Sequence, residues 1–311
     1  MECATLSVMR KITILMIGIV AFGLIIFGIW ASHNAAPIND GEFKIAATIF
    51  PLQDIAQNIV GESGAVQLVL PSGASPHLFE FSPSVLRRLQ GVDVIFAIGH
   101  GLDDWVESVG DAIGAKIVIV DGGVALRKTA LARHAGAEPE GGPVDPHYWL
   151  NFENARLIAG TIARELVGRD PQNALIYEEN VRNYSQALAA EEQTLQAMTR
   201  VIQNRRIISF HDAWYYFADN FGLEIVGTFE PSAGTEPAPR YLAELLRAIK
   251  EHGVETIFSE PQLLSPSLTG FTRENNLTVA ILDPLGGGDG RESYLKLMEY
   301  NVKALLEAVQ E

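Results

Sequence analysis

The chain has 311 residues, 48% of them apolar and 20% charged, enough for two ordinary lobes with their own cores, which excludes an intrinsically disordered protein. Acidic residues outnumber basic ones 38 to 23 and the net charge is -15, a surface that repels nucleic acid and attracts cations, although acidity of this degree also serves solubility. The single cysteine, Cys3, leaves no disulfide framework and no thiolate site, so zinc ribbons and iron–sulfur clusters are excluded and any metal must be held by nitrogen and oxygen.

Arg10 and Lys11 precede an apolar run at 12–30, followed by small and polar residues at 31–36. A basic start, an apolar centre and small residues after it describe an export leader over 1–36. The run exceeds the ~7–15 residues usual in a cleaved leader and approaches the ~20 of a spanning helix. A cleaved signal peptide and an uncleaved N-terminal membrane anchor are both open, and either places the remainder outside the cytoplasm.

Beyond the leader, strand and helix patterns alternate. Strands are predicted at 44–50, 65–70, 92–98 and 116–120, with helices at 52–60, 82–89 and 102–109 and a stiff two-proline loop at 71–77. Alternation at this interval implies parallel βαβ units with both sheet faces covered. Residues 121–145, rich in Gly and charge and without periodicity, form the longest loop. Asn151 can cap a helix that runs to about Val167 and stops at Gly168. Asp170-Pro171 starts the next helix, whose apolar positions Tyr177, Val181, Tyr184, Leu188, Leu195 and Met198 make a heptad-like stripe. Roughly 30 residues of helix would span ~45 Å, the length of a two-lobed molecule, which points to a spine between lobes. The α/β rhythm then resumes, with strands at 207–210, 223–229, 256–259 and 279–282. Helices are predicted at 211–221, 239–252, from Ser265-Pro266, and at 293–309.

Three histidines lie in separate local signatures: His77 in Ser75-Pro76-His77, His147 in Asp145-Pro146-His147-Tyr148-Trp149, and His211 in Phe210-His211-Asp212-Ala213. Asp283, in Leu282-Asp283-Pro284-Leu285, completes the set. Each sits beside a proline or at the end of an apolar run, where α/β folds present ligands to a crevice. Imidazoles with one carboxylate suit a divalent metal, zinc above all. Taken singly, each has a plainer reading: a turn histidine, a core aromatic cluster, a helix-start histidine, a turn aspartate. Asp145 is placed to orient an imidazole and Trp149 to wall off water. Glu260, in Ser259-Glu260-Pro261, is a competing carboxylate, read here as a neighbour of the site with Asp283 favoured as ligand. His33, His100 and His252 are weaker candidates, and His134, with Glu138 and Glu140 in the long loop, could sample metal weakly.

Together with Thr235-Glu236-Pro237, Phe258-Ser259-Glu260-Pro261-Gln262 and Leu282-Asp283-Pro284-Leu285-Gly286, these signatures closely resemble the zinc/manganese solute-binding proteins of ABC importers, the ZnuA/TroA-like receptors. The resemblance implies two α/β lobes, each with a parallel sheet flanked by helices, at 43–170 and 204–311, joined by one linking helix over 171–203. It implies metal in the interlobe cleft, with His77, His147, His211 and Asp283 as ligands, and a monomer that hands its ion to an ABC permease without catalysing a reaction. A histidine at 211 favours Zn2+ over Mn2+, since manganese-selective relatives often carry a carboxylate there. Two departures stand out: the 121–145 loop holds one histidine where many zinc members are His-rich, and no lipid-attachment cysteine follows the leader. The alternative from another class is a zinc hydrolase, for which three histidines and an open position would serve, though no HExxH helix is present. The three imidazoles must be neutral to bind and their reference pKa is ~6.5, so metal binding is expected to weaken on acidification through about pH 6.

Overall fold

The computed structural model describes residues 43–128, 144–230, 236–263 and 265–310. The leader and most of the 121–145 loop, including His134, Glu138 and Glu140, lie outside them. The first half contributes strands β1 (Ile45–Ala47), β2 (Val66–Leu68), β3 (Val94–Ala97) and β4 (Lys116–Ile119), and helices α1 (Phe50–Val60), α2 (Pro83–Arg88) and α3 (Trp105–Ile113). Next come α4 (Phe152–Arg169) and α5 (Ala174–Thr199). The second half carries β5 (Arg206–His211), β6 (Glu224–Glu230), β7 (Thr256–Ser259) and β8 (Thr278–Ile281), with α6 (Tyr215–Phe221), α7 (Pro239–His252), α8 (Pro266–Asn275) and α9 (Tyr294–Gln310).

Both sheets are four-stranded and parallel throughout, in the orders β2-β1-β3-β4 and β6-β5-β7-β8. The same order is thus built twice. In each, the strand order reverses beside the first strand, and the crevice at such a reversal, outside the carboxyl ends of the strands, is where open α/β sheets bind ligands. The central strands β1, β3 and β7 are buried along their whole length, whereas the edge strand β4 is half exposed, as covered parallel sheets require.

Local chemistry sets the element ends. Asn151 caps α4, its side chain accepting from the Glu153 and Asn154 N–H groups. Gly168 does not end that helix, which runs on to Arg169 and stops because Asp170, preceding Pro171, is driven out of the helical region (φ -129°, ψ 68°). The predicted helix at 102–109 begins later, at Trp105, because the Asp103 carboxylate accepts from the Ile98 and Gly99 N–H groups and holds 98–104 as a turn. Nor does His211 open a helix: it closes β5, paired with Glu230, and α6 starts at Tyr215.

α5 has 26 residues and is about 39 Å long at 1.5 Å per residue. Its buried Tyr177, Tyr184, Leu188 and Leu195, with the half-buried Val181 and Met198, join the core of both halves, as the stripe predicted. The helix packs on α1 from the first half, on α4 and on α9 from the second. That core is continuous, running from Ile45 and Leu52 through Trp149 to Trp214, Tyr294 and Met298. Buried hydrogen bonds stitch it: Trp149 Nε1 donates to the Pro284 carbonyl at 2.8 Å, and Tyr294 OH to the Trp149 carbonyl at 2.7 Å. Among the described residues no helix is long and apolar enough to cross a membrane.

Candidate metal centre

Each candidate side chain leaves the carboxyl end of a strand or the segment that follows one. After β2, the two-proline loop ends in a short 3-10 turn, Pro76–Leu78, which presents His77. Trp105 Nε1 pins that turn by donating to the Pro76 carbonyl at 3.0 Å. After β4, the chain returns through Asp145-Pro146 to His147. One oxygen, Asp145 Oδ1, accepts both the His147 backbone N–H (3.0 Å) and its ring Nδ1–H (2.9 Å), fixing backbone and ring together. His211, at the end of β5, donates from Nδ1 to Glu260 Oε1 at 2.5 Å, and Trp214 Nε1 donates to the same oxygen at 2.9 Å. Glu260 itself directly follows β7.

A proton fixed on Nδ1 leaves the Nε2 lone pair free, and for both His147 and His211 that lone pair points inward. His147 Nε2 lies 3.2 Å from His77 Nε2 and 3.3 Å from His211 Nε2. Two nitrogens bound to one zinc at 2.0–2.1 Å with a tetrahedral angle are about 3.3–3.4 Å apart. The spacing is that of ligands to a common ion. Among the described residues, His77, His147 and His211 are the group of three metal-type donors that converge, all within 4.8 Å of one another.

Asp283 does not join that group. It is buried after β8, and its Oδ1 accepts from Gln262 Nε2 and the Leu285 N–H, both at 2.9 Å, while Oδ2 accepts from Arg291 Nη1 at 2.9 Å. The residues that follow it, Pro284 and Leu285, line the same cavity as the histidines, together with Trp149, Glu260 and Gln262. That cavity is about 20 Å³, room for one water-sized group. Trp149 shuts its inner wall, with its ring 5.4 Å from that of His147. Of the weaker histidines, His100 pairs with Asp121 at 2.9 Å and His252 ends α7, and neither belongs to the cluster.

The environment sorts the three imidazoles by charge. Burial, then the neighbouring rings of His147 and His211, pushes His77 down to about 3. Burial and His211 likewise hold His147 well below 6.5. Burial also opposes the charged form of His211, but the Glu260 charge and hydrogen bond, with Asp212 and Asp145, outweigh it and raise its pKa above 6.5. His77 and His147 therefore offer bare lone pairs through mild acid, and only His211 holds a proton that a metal must displace. The sign follows: metal affinity falls as pH drops below the raised pKa of His211, by about tenfold per pH unit for one displaced proton. Competition titrations below the raised pKa of His211 are expected to give a slope near one; a slope near three would mean that the imidazoles titrate together.

Sequence reasoning singled out three histidines that do converge, and pointed to Asp145, Trp149 and Glu260, which the structure sets around them. It missed Arg291 and the bond from Trp214 to Glu260. A charged residue in the glycine-rich stretch Gly286-Gly287-Gly288-Asp289-Gly290-Arg291 carries no local signal of the carboxylate it meets.

Comparison with known proteins places this geometry in a family. The chain is 26% identical over 287 residues to the manganese-binding lipoprotein MntA of Halalkalibacterium halodurans, covering 90% of this chain and 93% of that one. It is 25% identical over 291 residues to the high-affinity zinc uptake system protein ZnuA of Bacillus subtilis, covering 90% and 91%. Among solved structures, a crystal structure of ZnuA matches with a TM-score of 0.74 at 27% identity, covering 86% of this chain and 99% of the other. FpvC from Pseudomonas aeruginosa in complex with Mn2+ matches with a TM-score of 0.74 at 28% identity, covering 87% and 99%. The model of the family described as zinc-uptake complex component A, periplasmic, matches residues 45–308, and the chain belongs to that family.

Proposed function

We propose that this protein is an extracytoplasmic receptor that captures a divalent metal ion between its two sheets and delivers it to an ABC permease, acting as a monomer. The convergence of three Nε2 atoms at 3.2 and 3.3 Å, two of them backed by buried carboxylates, carries the reading. Zinc is the proposed cargo, because three imidazole nitrogens suit it better than manganese, which favours carboxylate and water. Manganese is the alternative, since relatives with zinc and with manganese in their names match about equally well. Asp283 is proposed as a further donor, available to the ion only when it gives up its pair with Arg291. The proposed organisation is a first lobe at 43–170, a linking helix at 171–203 and a second lobe at 204–311, behind a leader that is either cleaved or retained as an anchor. A hydrolase built on the same histidines would need a place for an organic substrate beside the ion, whereas the cavity at the histidines is sized for one water-sized group.

Protein purified without added metal and titrated with zinc is expected to bind one equivalent, and to prefer zinc to manganese in direct competition. Binding of no equivalent, or of several equally weak ones, would remove the proposed site; a preference for manganese would overturn the choice of cargo.

A further inference from the structure

We propose that Arg291 is a positioning residue that sets metal selectivity, by competing with the bound ion for the carboxylate of Asp283. The inference rests on the proposed metal site and asks what governs its fourth position. Asp283 is almost wholly buried, and a carboxylate so placed needs a counter-charge. None of the three imidazoles pairs with it. Arg291 does, through Nη1 to Oδ2 at 2.9 Å. A divalent ion beside the histidines would be the rival counter-charge for the same group.

The surroundings make this a competition of side chains and not of backbone. Asn301 grips the Asp283 backbone from both sides, accepting its N–H at 2.7 Å and donating to its carbonyl at 2.8 Å. To reach an ion, the carboxylate must therefore turn about its own side-chain bonds and leave Arg291. The arginine is held in place independently. Its guanidinium lies 4.7 Å from the Tyr300 ring centroid, and its loop is closed by the Gly287 N–H to the Arg291 carbonyl and the Arg291 N–H to the Gly288 carbonyl, both at 2.9 Å. The network is also incompletely satisfied: Arg291 Nε and Gln262 Oε1 are buried and find no hydrogen-bond partner among the described residues. A buried polar network with a missing acceptor and a missing donor is one that a second arrangement can rival.

Selectivity follows from what each ion gains. Zinc is served by three nitrogens and one further small ligand, so it loses little when the carboxylate stays with Arg291. Manganese is a harder ion that depends on carboxylate oxygen, so the arginine acts mainly against it.

The test measures zinc and manganese affinities of the full chain and of Arg291→Gln, Arg291→Lys and Asp283→Asn. Arg291→Gln is expected to tighten manganese binding by tenfold or more and to change zinc binding by less than threefold. Arg291→Lys, which keeps the charge, is expected to retain the discrimination. Asp283→Asn added to Arg291→Gln should abolish the gain in manganese affinity. Cobalt supplies a spectroscopic signature: entry of the carboxylate in Arg291→Gln should weaken the visible bands relative to the four-coordinate parent. Equal shifts for both metals, or no shift in a variant that melts like the parent, would overturn the role of Arg291. Failure of the parent to bind any metal would instead overturn the proposed function.

Discussion

Replacing His147 with alanine is expected to weaken zinc binding by more than about 100-fold. His147 is the central one of the three proposed donors, with its Nε2 3.2 Å from that of His77 and 3.3 Å from that of His211. Loss of a group that merely orients a ligand typically costs about 10–100-fold in metal affinity, and loss of the ligand itself must exceed that. The series therefore has an internal scale. Glu260→Gln, which weakens the hold on His211, should fall within ~10–100-fold, and His252→Ala, outside the cluster, should change nothing. His77→Ala guards against a trivial result: it is the least buried of the three, so its loss of affinity cannot be blamed on an unfolded core. Chelator competition reads all four. Parental affinity in His147→Ala would dismantle the site.

The largest effect on stability is expected from Trp149→Ala, about 3–5 kcal/mol by comparison with other large-to-small substitutions in cores. The indole is fully buried in the core shared by both halves, and its Nε1 donates to the Pro284 carbonyl across them. Truncation removes the packing of a bicyclic ring and strands that carbonyl, two losses that add in the same direction. Denaturant unfolding should show a lower midpoint and a single transition by tryptophan fluorescence and by circular dichroism, because one core serves both sheets. A cost below about 1 kcal/mol would show that the aromatic cluster does not tie the halves together.

What was legible in the sequence, and what was not, divides along physical lines. The strands and most helices were readable because parallel strands buried on both faces leave continuous apolar runs such as Val94–Ala97, and because Pro239 and Ser265-Pro266 mark helix starts. The His147 signature was readable because Asp145 acts two residues away, within the reach of local pattern. His211 and Glu260 are 49 residues apart, so their bond emerges only once β5 and β7 lie side by side. The helix expected at His211 failed for the same reason: pairing with Glu230 on β6 holds it in the sheet, and no local propensity reports a neighbouring strand. Asp283 was found as a residue, but its commitment to Arg291 and Gln262 depends on the fold of its own long loop and on a second loop meeting it. Tertiary contacts of that kind leave no trace in periodicity.

The unbroken helix α5 has a consequence for how the cargo would leave. A receptor whose halves are joined by flexible strands can open by itself and let its ligand fall out at a rate set by the hinge. Here a rod of 26 residues packs on helices from both halves, and hinges need terminal or loop residues that absorb large backbone changes, which a helix interior does not offer. Spontaneous escape would then depend on local movement of the short segments around the site, and long residence times are expected. Unloading at a useful rate would then need mechanical work done on the receptor from outside, which under the proposed function the permease would supply.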